Sequence, residues 1–339
     1  MASFFKLGYF FLVMAMWVGQ ISCRDLHVNS LSMKERHEKW MVKHGKVYKD
    51  EKEKSKRFEI FQSNVAYIEW FNAVRKESYV LGVNRFADLT NDEFTGIWNG
   101  YKRPLGKPRA VTPFMYGNVT VLPSSIDWRR RGAVTPIKDQ KKCGSCWAFS
   151  AVAATEGIHK LRTGKLVSLS EQELVDCDRG EDQGCQGGLM EDAFKFIKRN
   201  KGITTEANYP YRGVDGKCNT KRESSKVAKI TGYHVVPSNS EAALLKAVAH
   251  QPISVSIDAG SVSFQFYKGG VYTGSCGTDL NHGVVAVGYG RSSSGSKYWI
   301  VKNSWGTGWG ERGYVRMKRD VRSKKGLCGI AMDSSYPTA

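Results

Sequence analysis

The sequence predicts an α+β fold in which a mainly helical part is followed by a mainly β part. Helical patterns predominate in the earlier part of the chain, with residues at steps of three and four along 53–72 and further helical stretches at 146–162 and about 189–199. Beyond residue 228, runs rich in β-branched and aromatic residues take over: "ISVSI", "GVVAVGYG", "YWIVKNSW" and "GYVRMK", with glycine-rich turns between them. Helices first and strands later point to segregated α+β packing rather than alternating βαβ units. No solenoid-type repeat is visible. A chain of 339 residues is long enough for two such parts, and a site built from both would lie between them.

The elements can be justified in order. Lys6 precedes an apolar run over residues 10–18, and Gly19, Ser22 and Cys23 follow. A basic start, a short apolar middle and small residues at the end read as a secretory signal peptide over residues 1–23. The run is too short to cross a bilayer, which takes ~20 apolar residues, and no second long apolar run follows. Residues 25–75 are charged and helix-like; Glu53, Arg57, Ile60, Phe61, Asn64, Ile68 and Asn72 fall along one side of a helix. "YVLGVNRFADLT" reads as a short strand running into a turn. Residues 99–121 hold Pro104, Pro108 and Pro113 among glycines and bases, the composition of an extended, cleavable linker. Asn118, in Asn118-Val119-Thr120, is the only N-glycosylation acceptor pattern in the chain. Residues 146–162 form a helix with Gly164 as its stop. Ser170 and Glu173 look like a capping box for the next helix, and a third helix covers about 189–199.

The net charge is +19. From Leu122 onward, 32 Lys and Arg face 20 Asp and Glu, a net +12. The bases are scattered, dense only at 129–131 and 322–325, and neither run sits in an aromatic-rich nucleic-acid motif. A solvated basic surface is expected, with no nucleic-acid or membrane partner. Of 8 cysteines, seven remain once Cys23 leaves with the signal: 143, 146, 177, 185, 218, 276 and 328. An oxidising route favours pairing. An odd count leaves at least one thiol free or paired to another chain.

Cys143 and Cys146 form a C-x-x-C that fits a redox dithiol, half a zinc site, or two unrelated jobs. A zinc site lacks a second C-x-x-C or H-x-x-x-H. Cys146 lies at the start of a predicted helix, where N–H groups and the helix dipole favour a thiolate. Among His159, His234, His250 and His282, the last opens the strand "HGVVAVGYG" and is the best candidate base. Asn303 ends "YWIVKN"; it is either a hairpin residue or a group that orients an imidazole. Trp305 and Trp309 suit core packing or the shielding of a buried polar pair. The amide of Gln140 can donate to an oxyanion. Gly187 and Gly188 fit a tight turn or a bare backbone edge for an extended peptide.

Taken together, these segments resemble the papain-like cysteine proteases. "CGSCWAFS" is similar to the nucleophile segment of that family, "NHGVVAVGYG" to its histidine segment and "KNSWGTGWGERGY" to its asparagine segment. Residues 53–72 resemble the interspersed helical propeptide motif of the cathepsin L-like branch, and Gly82, Asn84, Phe86 and Asp88 its second propeptide motif. The resemblance runs from about residue 33 to 339 and is strongest to plant senescence-associated members.

The resemblance implies a papain-like two-domain fold, one domain mainly helical and one β-barrel-like, with the active-site cleft between them and a helical propeptide in front. It implies an inhibitory propeptide over residues 24–121 and a peptidase domain over 122–339, with cleavage near Val121 or Leu122. It implies a cysteine endopeptidase with Cys146 as nucleophile and His282 as base, paired as thiolate and imidazolium. Asn303 would orient the imidazole, Trp305 cover that bond, and Gln140 with the Cys146 N–H form the oxyanion hole. Disulfides Cys143–Cys185, Cys177–Cys218 and Cys276–Cys328 are implied, leaving Cys146 free. Gly187, Gly188, Leu189, Met190, Ser256, Asn281, Asp333 and Trp305 match substrate-binding positions, with Val284 beside them. The pocket is expected to take Leu, Phe or Val, and Arg or Lys through Asp333. No cofactor or metal is implied. The expected partners are protein and peptide substrates, the chain's own propeptide as an intramolecular inhibitor running opposite to substrate, and cystatin-like inhibitors. A monomer in the secretory pathway is expected, in a vacuole, a lysosome-like compartment or outside the cell. Activation is expected at acid pH, where carboxylates such as Asp88 protonate. Net charge does not explain propeptide binding, since residues 24–121 are also basic, 18 against 12.

Overall fold

The computed structural model describes residues 31–104, 106, 108 and 111–339. The expected signal peptide, with Cys23, lies outside the described residues. The chain forms two compact units, split between Gln62 and Ser63.

In the first unit, helix α1 (Met33–His44) starts at Ser32, which makes a reciprocal capping box with Glu35. Its buried face carries His37 and Trp40, whose rings pack with Phe61 at 4.9 and 5.1 Å. Helix α2 (Glu51–Val74) begins where Asp50 accepts the Glu53 N–H at 2.7 Å, and Arg57 pairs with Glu53 one turn on.

In the second unit, the asparagines that the helical spacing placed on one side serve as clamps. The Asn64 amide donates to the carbonyls of Ala87 and Leu89 at 2.9 and 3.0 Å. Asn72 exchanges two 2.9 Å bonds with Leu81. They hold strand β1 (Tyr79–Leu81) and the turn that leads to helix α3 (Asn91–Trp98). Strand β2 (Ile126–Asp127) follows, then α4 (Cys146–Thr163), α5 (Glu171–Cys177), α6 (Met190–Arg199) and α7 (Thr220–Glu223). The remainder is β3 (Gly232–Val235), α8 (Glu241–Val248), β4 (Ile253–Ile257), α9 (Val262–Gln265), β5 (Tyr267–Tyr272), β6 (His282–Arg291), β7 (Lys297–Lys302), β8 (Tyr314–Lys318) and β9 (Ser334–Thr338). The sheet runs β1-β5-β8-β7-β6-β4-β9-β3, with β2 also on β6. The β5–β8 pair is parallel.

Helix α4 is the hinge of the architecture. It packs on α5 and α6 on one side and on β4, β6 and β9 on the other. Ala148, Ala151, Ala153 and Ala154 are buried along it, and small side chains let the sheet come close. Gly164 ends it in the left-handed region, as the sequence predicts. Every residue of β4 is buried, which explains why "ISVSI" shows no apolar–polar alternation: both its faces are covered. Ser170 caps α5 by accepting from the Glu173 N–H at 3.0 Å. The Glu173 carboxylate does not return the bond; it accepts from the Thr204 N–H and the Asn200 amide at 2.7 and 2.9 Å. The capping box is therefore half formed.

The stretch 99–121 departs from a free linker. Gly100 and Tyr101 are buried, and Tyr101 forms a parallel bridge with Gly188. Asn118 is exposed.

Candidate active site

Cys146 is the first residue of α4. First-turn N–H groups have no partner within a helix and carry partial positive charge toward whatever precedes them. The loop before it is fixed twice: Cys143 is bonded to Cys185, and the Gly144 N–H donates to the Cys185 carbonyl at 2.9 Å. Cys177–Cys218 and Cys276–Cys328 are also bonded, and Cys146 is the free cysteine among the described residues. The C-x-x-C is thus one bonded and one free cysteine, which removes the dithiol reading.

His282 opens β6 and Asn303 follows β7; the antiparallel pairing of these strands brings them side by side. His282 Nε2 lies 2.8 Å from Asn303 Oδ1. An amide oxygen only accepts, so Nε2 carries the proton and Nδ1 is left as the basic nitrogen. Nδ1 has no hydrogen-bond partner among the described residues. The Trp305 ring stacks on the imidazole at 4.5 Å and is fully buried, which keeps water off the His282–Asn303 bond. Trp305 is held edge-on by Phe94, Phe264 and Trp309. The Gly283 N–H donates to Cys146 Sγ at 3.3 Å. A Cβ on Gly283 would stand 3.3 Å from the Cys146 carbonyl oxygen and 3.1 Å from Met190 Sδ, so glycine lets the strand start close onto the helix start.

Gln140 is fully buried. Its Nε2 donates to the carbonyls of Cys143 at 2.8 Å and Trp98 at 3.1 Å. Ser304 Oγ donates to its Oε1 at 2.7 Å, and the Tyr211 hydroxyl to its carbonyl at 2.7 Å. One donor hydrogen of the amide therefore faces a carbonyl from the N-terminal part of the chain.

That part of the chain lies across the thiol. The Gly100 N–H donates to Sγ at 3.2 Å. Gly188 donates to the Gly100 carbonyl at 3.0 Å and accepts from the Lys102 N–H at 3.2 Å, a parallel bridge between Tyr101 and Gly188. The Tyr101 N–H donates to the Asn281 carbonyl at 3.0 Å. A Cβ on Gly187 would meet the Gly100 carbonyl at 2.8 Å. The Tyr101 ring is buried in a cluster with Leu189 and Met190, and its hydroxyl donates to Asp333. Arg103 donates to Asp333 at 2.8 Å and pairs with Glu191 at 3.3 Å. Ser256 stands behind: its N–H donates to the Asp333 carbonyl at 3.0 Å.

In this closed state, burial pushes the Cys146 thiol up to about 11, against the pull of the Gly283 and Gly100 N–H groups. Burial also pushes His282 down to about 4, opposed by the Asn303 bond. Both shifts favour neutral thiol and neutral imidazole while the segment covers them. Burial raises Glu191 too, with Asp333 adding to the rise and Arg103 opposing it.

His282, Asn303 and Trp305 thus cluster next to Gly283, whose N–H reaches the Cys146 thiol, Gln140 holds the loop before it, and Gly187, Gly188, Leu189, Met190, Asn281 and Asp333 meet residues 100–103, with Ser256 behind Asp333. Sequence reasoning missed Ser304, Tyr211 and Glu191. The first two act through a hydroxyl on another residue's amide group, which no local pattern announces. Glu191 follows Met190 directly, and helical spacing alone did not reveal that it turns toward Asp333. Among the described residues no group of His, Cys, Asp and Glu is placed to hold a metal.

Comparison with known proteins agrees with this geometry. The family model for papain family cysteine proteases matches residues 122–338, and that for the cathepsin propeptide inhibitor domain (I29) matches residues 37–94. The senescence-specific cysteine protease SAG39 of Oryza sativa subsp. japonica is 60% identical, covering 94% of each chain. SAG12 of Arabidopsis thaliana is 56% identical, covering 91% of each. Among solved structures, recombinant stem bromelain precursor superposes with a TM-score of 0.83 at 50% identity, over 90% of this chain and 98% of that one. Digestive procathepsin L 3 of Tenebrio molitor gives 0.83 at 39%, over 91% and 100%. The chain belongs to the papain family of cysteine proteases and carries that family's cathepsin-type propeptide inhibitor domain, which makes it the zymogen of a cysteine endopeptidase.

Proposed function

We propose that Cys146 is the nucleophile of this endopeptidase and His282 its acid–base partner. The observation that carries the reading is a peptide backbone already lying on the free thiol: Gly100 N–H on Sγ at 3.2 Å, with the preceding Trp98 carbonyl on the Gln140 amide at 3.1 Å. Removing residues 98–103 hydrates the site and relieves the burial that holds the neutral forms. The helix start then favours the thiolate and Asn303 favours the imidazolium, giving the ion pair. The thiolate attacks the scissile carbonyl carbon. The oxyanion forms where Gln140 Nε2 and the Cys146 N–H can donate to it. His282 Nδ1 gives its proton to the leaving amine, and a thioester remains. Water then loses a proton to His282 and displaces the thiol.

The pocket containing Leu189, Met190, Ser256 and Asp333 takes Leu, Phe or Val, and admits Arg or Lys opposite Asp333 and Glu191. Tyr101 and Arg103, which fill it in the zymogen, support both halves of that reading. The parallel bridge at Gly188 supports a propeptide that runs opposite to substrate and so resists cleavage. Cleavage falls near Val121 or Leu122, in a secretory compartment of acid pH, and three disulfides support that route.

Covalent labelling with a thiol-directed epoxide followed by peptide mapping tests the centre of the proposal. The label is expected on Cys146 alone; modification elsewhere refutes it. Cys146→Ser is expected to abolish turnover, and retained hydrolysis excludes the thiol mechanism.

A further inference from the structure

Residues 112–117 are seated on a part of the protein that shares no residue with the cleft. The Tyr116 ring stacks on His250 at 4.4 Å, 17° from parallel, and leans on Tyr336 at 5.4 Å. Its hydroxyl donates to Gln251 Oε1 at 2.9 Å. Gln251 is only 2% exposed, and its Nε2 is fixed on the Pro337 carbonyl at 3.0 Å. The aim of Oε1 is therefore set by the protein. Tyr336 is fully buried and accepts the Met115 N–H at 3.3 Å. Lys246 donates to the Gly117 carbonyl at 2.8 Å. At the outer edge of β3, the end strand of the sheet, the Val235 N–H donates to Thr112 Oγ1 at 2.8 Å. His250 Nδ1 lies 2.7 Å from the Lys246 carbonyl, which fixes the ring that Tyr116 covers.

These contacts combine a flat aromatic platform, a buried amide oxygen aimed at a phenol, and an edge-strand N–H that meets a threonine hydroxyl. Each suits one part of a peptide that presents a tyrosine on a turn. When the segment leaves, Gln251 Oε1 and the Tyr336 hydroxyl lose these partners, at a cost typical of uncovered buried polar groups. We propose that Val235, Lys246, His250, Gln251 and Tyr336 form a second binding site, specific for a tyrosine presented on a turn, and that its ligand is residues 112–117 of the chain's own released propeptide. The proposal rests on the reading that cleavage falls near Val121, which sends Tyr116 away with the propeptide. The cleft segment and the Tyr116 segment are joined by only eight residues, 104–111. The two contacts make the propeptide a bivalent inhibitor: holding one raises the effective concentration of the other, and overall avidity then exceeds either single affinity by about 10²–10⁴ in general.

Two measurements test the site without using catalysis. In the full-length Cys146→Ser zymogen, Tyr116→Ala is expected to raise amide hydrogen exchange over residues 112–119 about tenfold, while exchange at 99–103 stays unchanged. In processed enzyme whose thiol is blocked, a fluorescent peptide of residues 111–120 is expected to bind saturably. Tyr116→Ala in the peptide should weaken binding about tenfold and Tyr116→Phe by less, since the stacking survives. Unchanged exchange, or equal binding by the alanine peptide, overturns the proposal. Failure of epoxide labelling at Cys146 would bear on the chemistry alone.

Discussion

Arg103 meets two buried carboxylates, Asp333 and Glu191, where the sequence suggested one. Glu191 lies above the ordinary carboxylate range because of burial and Asp333, and Arg103 is the group that holds it down. Arg103 pairs with it at 3.3 Å as a latch on the segment, and protonation of Glu191 removes the charge-assisted part of that bond. Glu191→Gln imitates the protonated state and should make zymogen processing at neutral pH about tenfold faster, the effect of losing one charge-assisted bond; unchanged processing rates would rule the latch out. In the open pocket, Asp333→Ala should lower kcat/KM for a dipeptide substrate with Arg at this position by about 10- to 100-fold relative to one with Leu. A panel of such substrates measures it, and an unchanged Leu-to-Arg ratio sinks the pairing. Gln140→Ala should cost roughly 10² in kcat with KM little changed, as loss of an oxyanion donor does.

At the scale of elements, the segment 99–103 blocks the thiol only because its backbone can lie on the loop before α4. A Cβ on Gly100 would stand 1.8 Å from the Gly144 carbonyl oxygen and 2.7 Å from its Cα. Those atoms are backbone, pinned by the Cys143–Cys185 bond and the Gly144 hydrogen bond, so they cannot yield. Gly100→Ala should therefore lift the segment and give full-length protein measurable activity at neutral pH. A fluorogenic peptide assay reads this directly, and a fully latent Gly100→Ala zymogen would contradict it. This element also marks where the sequence stopped being legible. The start and stop of α4, the asparagine clamps of α2 and the strands of the C-terminal half follow from local spacing and caps. Cys146, His282 and Asn303 were readable because each sits at the end of a strongly patterned element. Residues 99–103 open a stretch, 99–121, that carries glycines and prolines and reads as a linker, because their order comes from pairing with Gly188 and Asn281, far away in sequence. Glu191 and Ser304 were hidden for the same reason: a helical or turn position does not say which distant atom the side chain meets.

At the scale of the whole unit from Ser63 to Ala339, the helical part buries several carboxylates. Burial raises Glu171 to about 8, Glu173 to about 7, Asp178 to about 6 and Asp182 to about 9. A carboxyl group raised on folding holds a proton that the unfolded chain has already released, so its contribution favours the fold at low pH and fades as pH rises. For these four the fade begins above the ordinary carboxylate values and ends between about 6 and 9. Glu156 works in the opposite direction. It is buried among Lys138, Thr135 and the Leu169 N–H, and Lys138 and Lys302 together with those bonds hold it below its usual value despite burial. Its stabilisation is lost only as pH falls through that depressed value. The two trends place maximum stability in mild acid, the condition proposed for activation. Glu171 is the cleanest probe. One oxygen accepts from Lys138 at 2.7 Å, and the proton it retains is available to Glu206, itself raised by burial. A glutamine keeps both an acceptor and a donor there without ionising. Thermal melting of the Cys146→Ser zymogen should therefore give a higher Tm at pH 5 than at pH 7.5. Glu171→Gln should raise the pH 7.5 value by about 2–4 °C, as a gain near 1 kcal/mol does in a domain of this size, and leave the pH 5 value nearly unchanged. Equal shifts at both pH values would mean that the substitution acts through packing and that Glu171 does not carry the proton assigned to it.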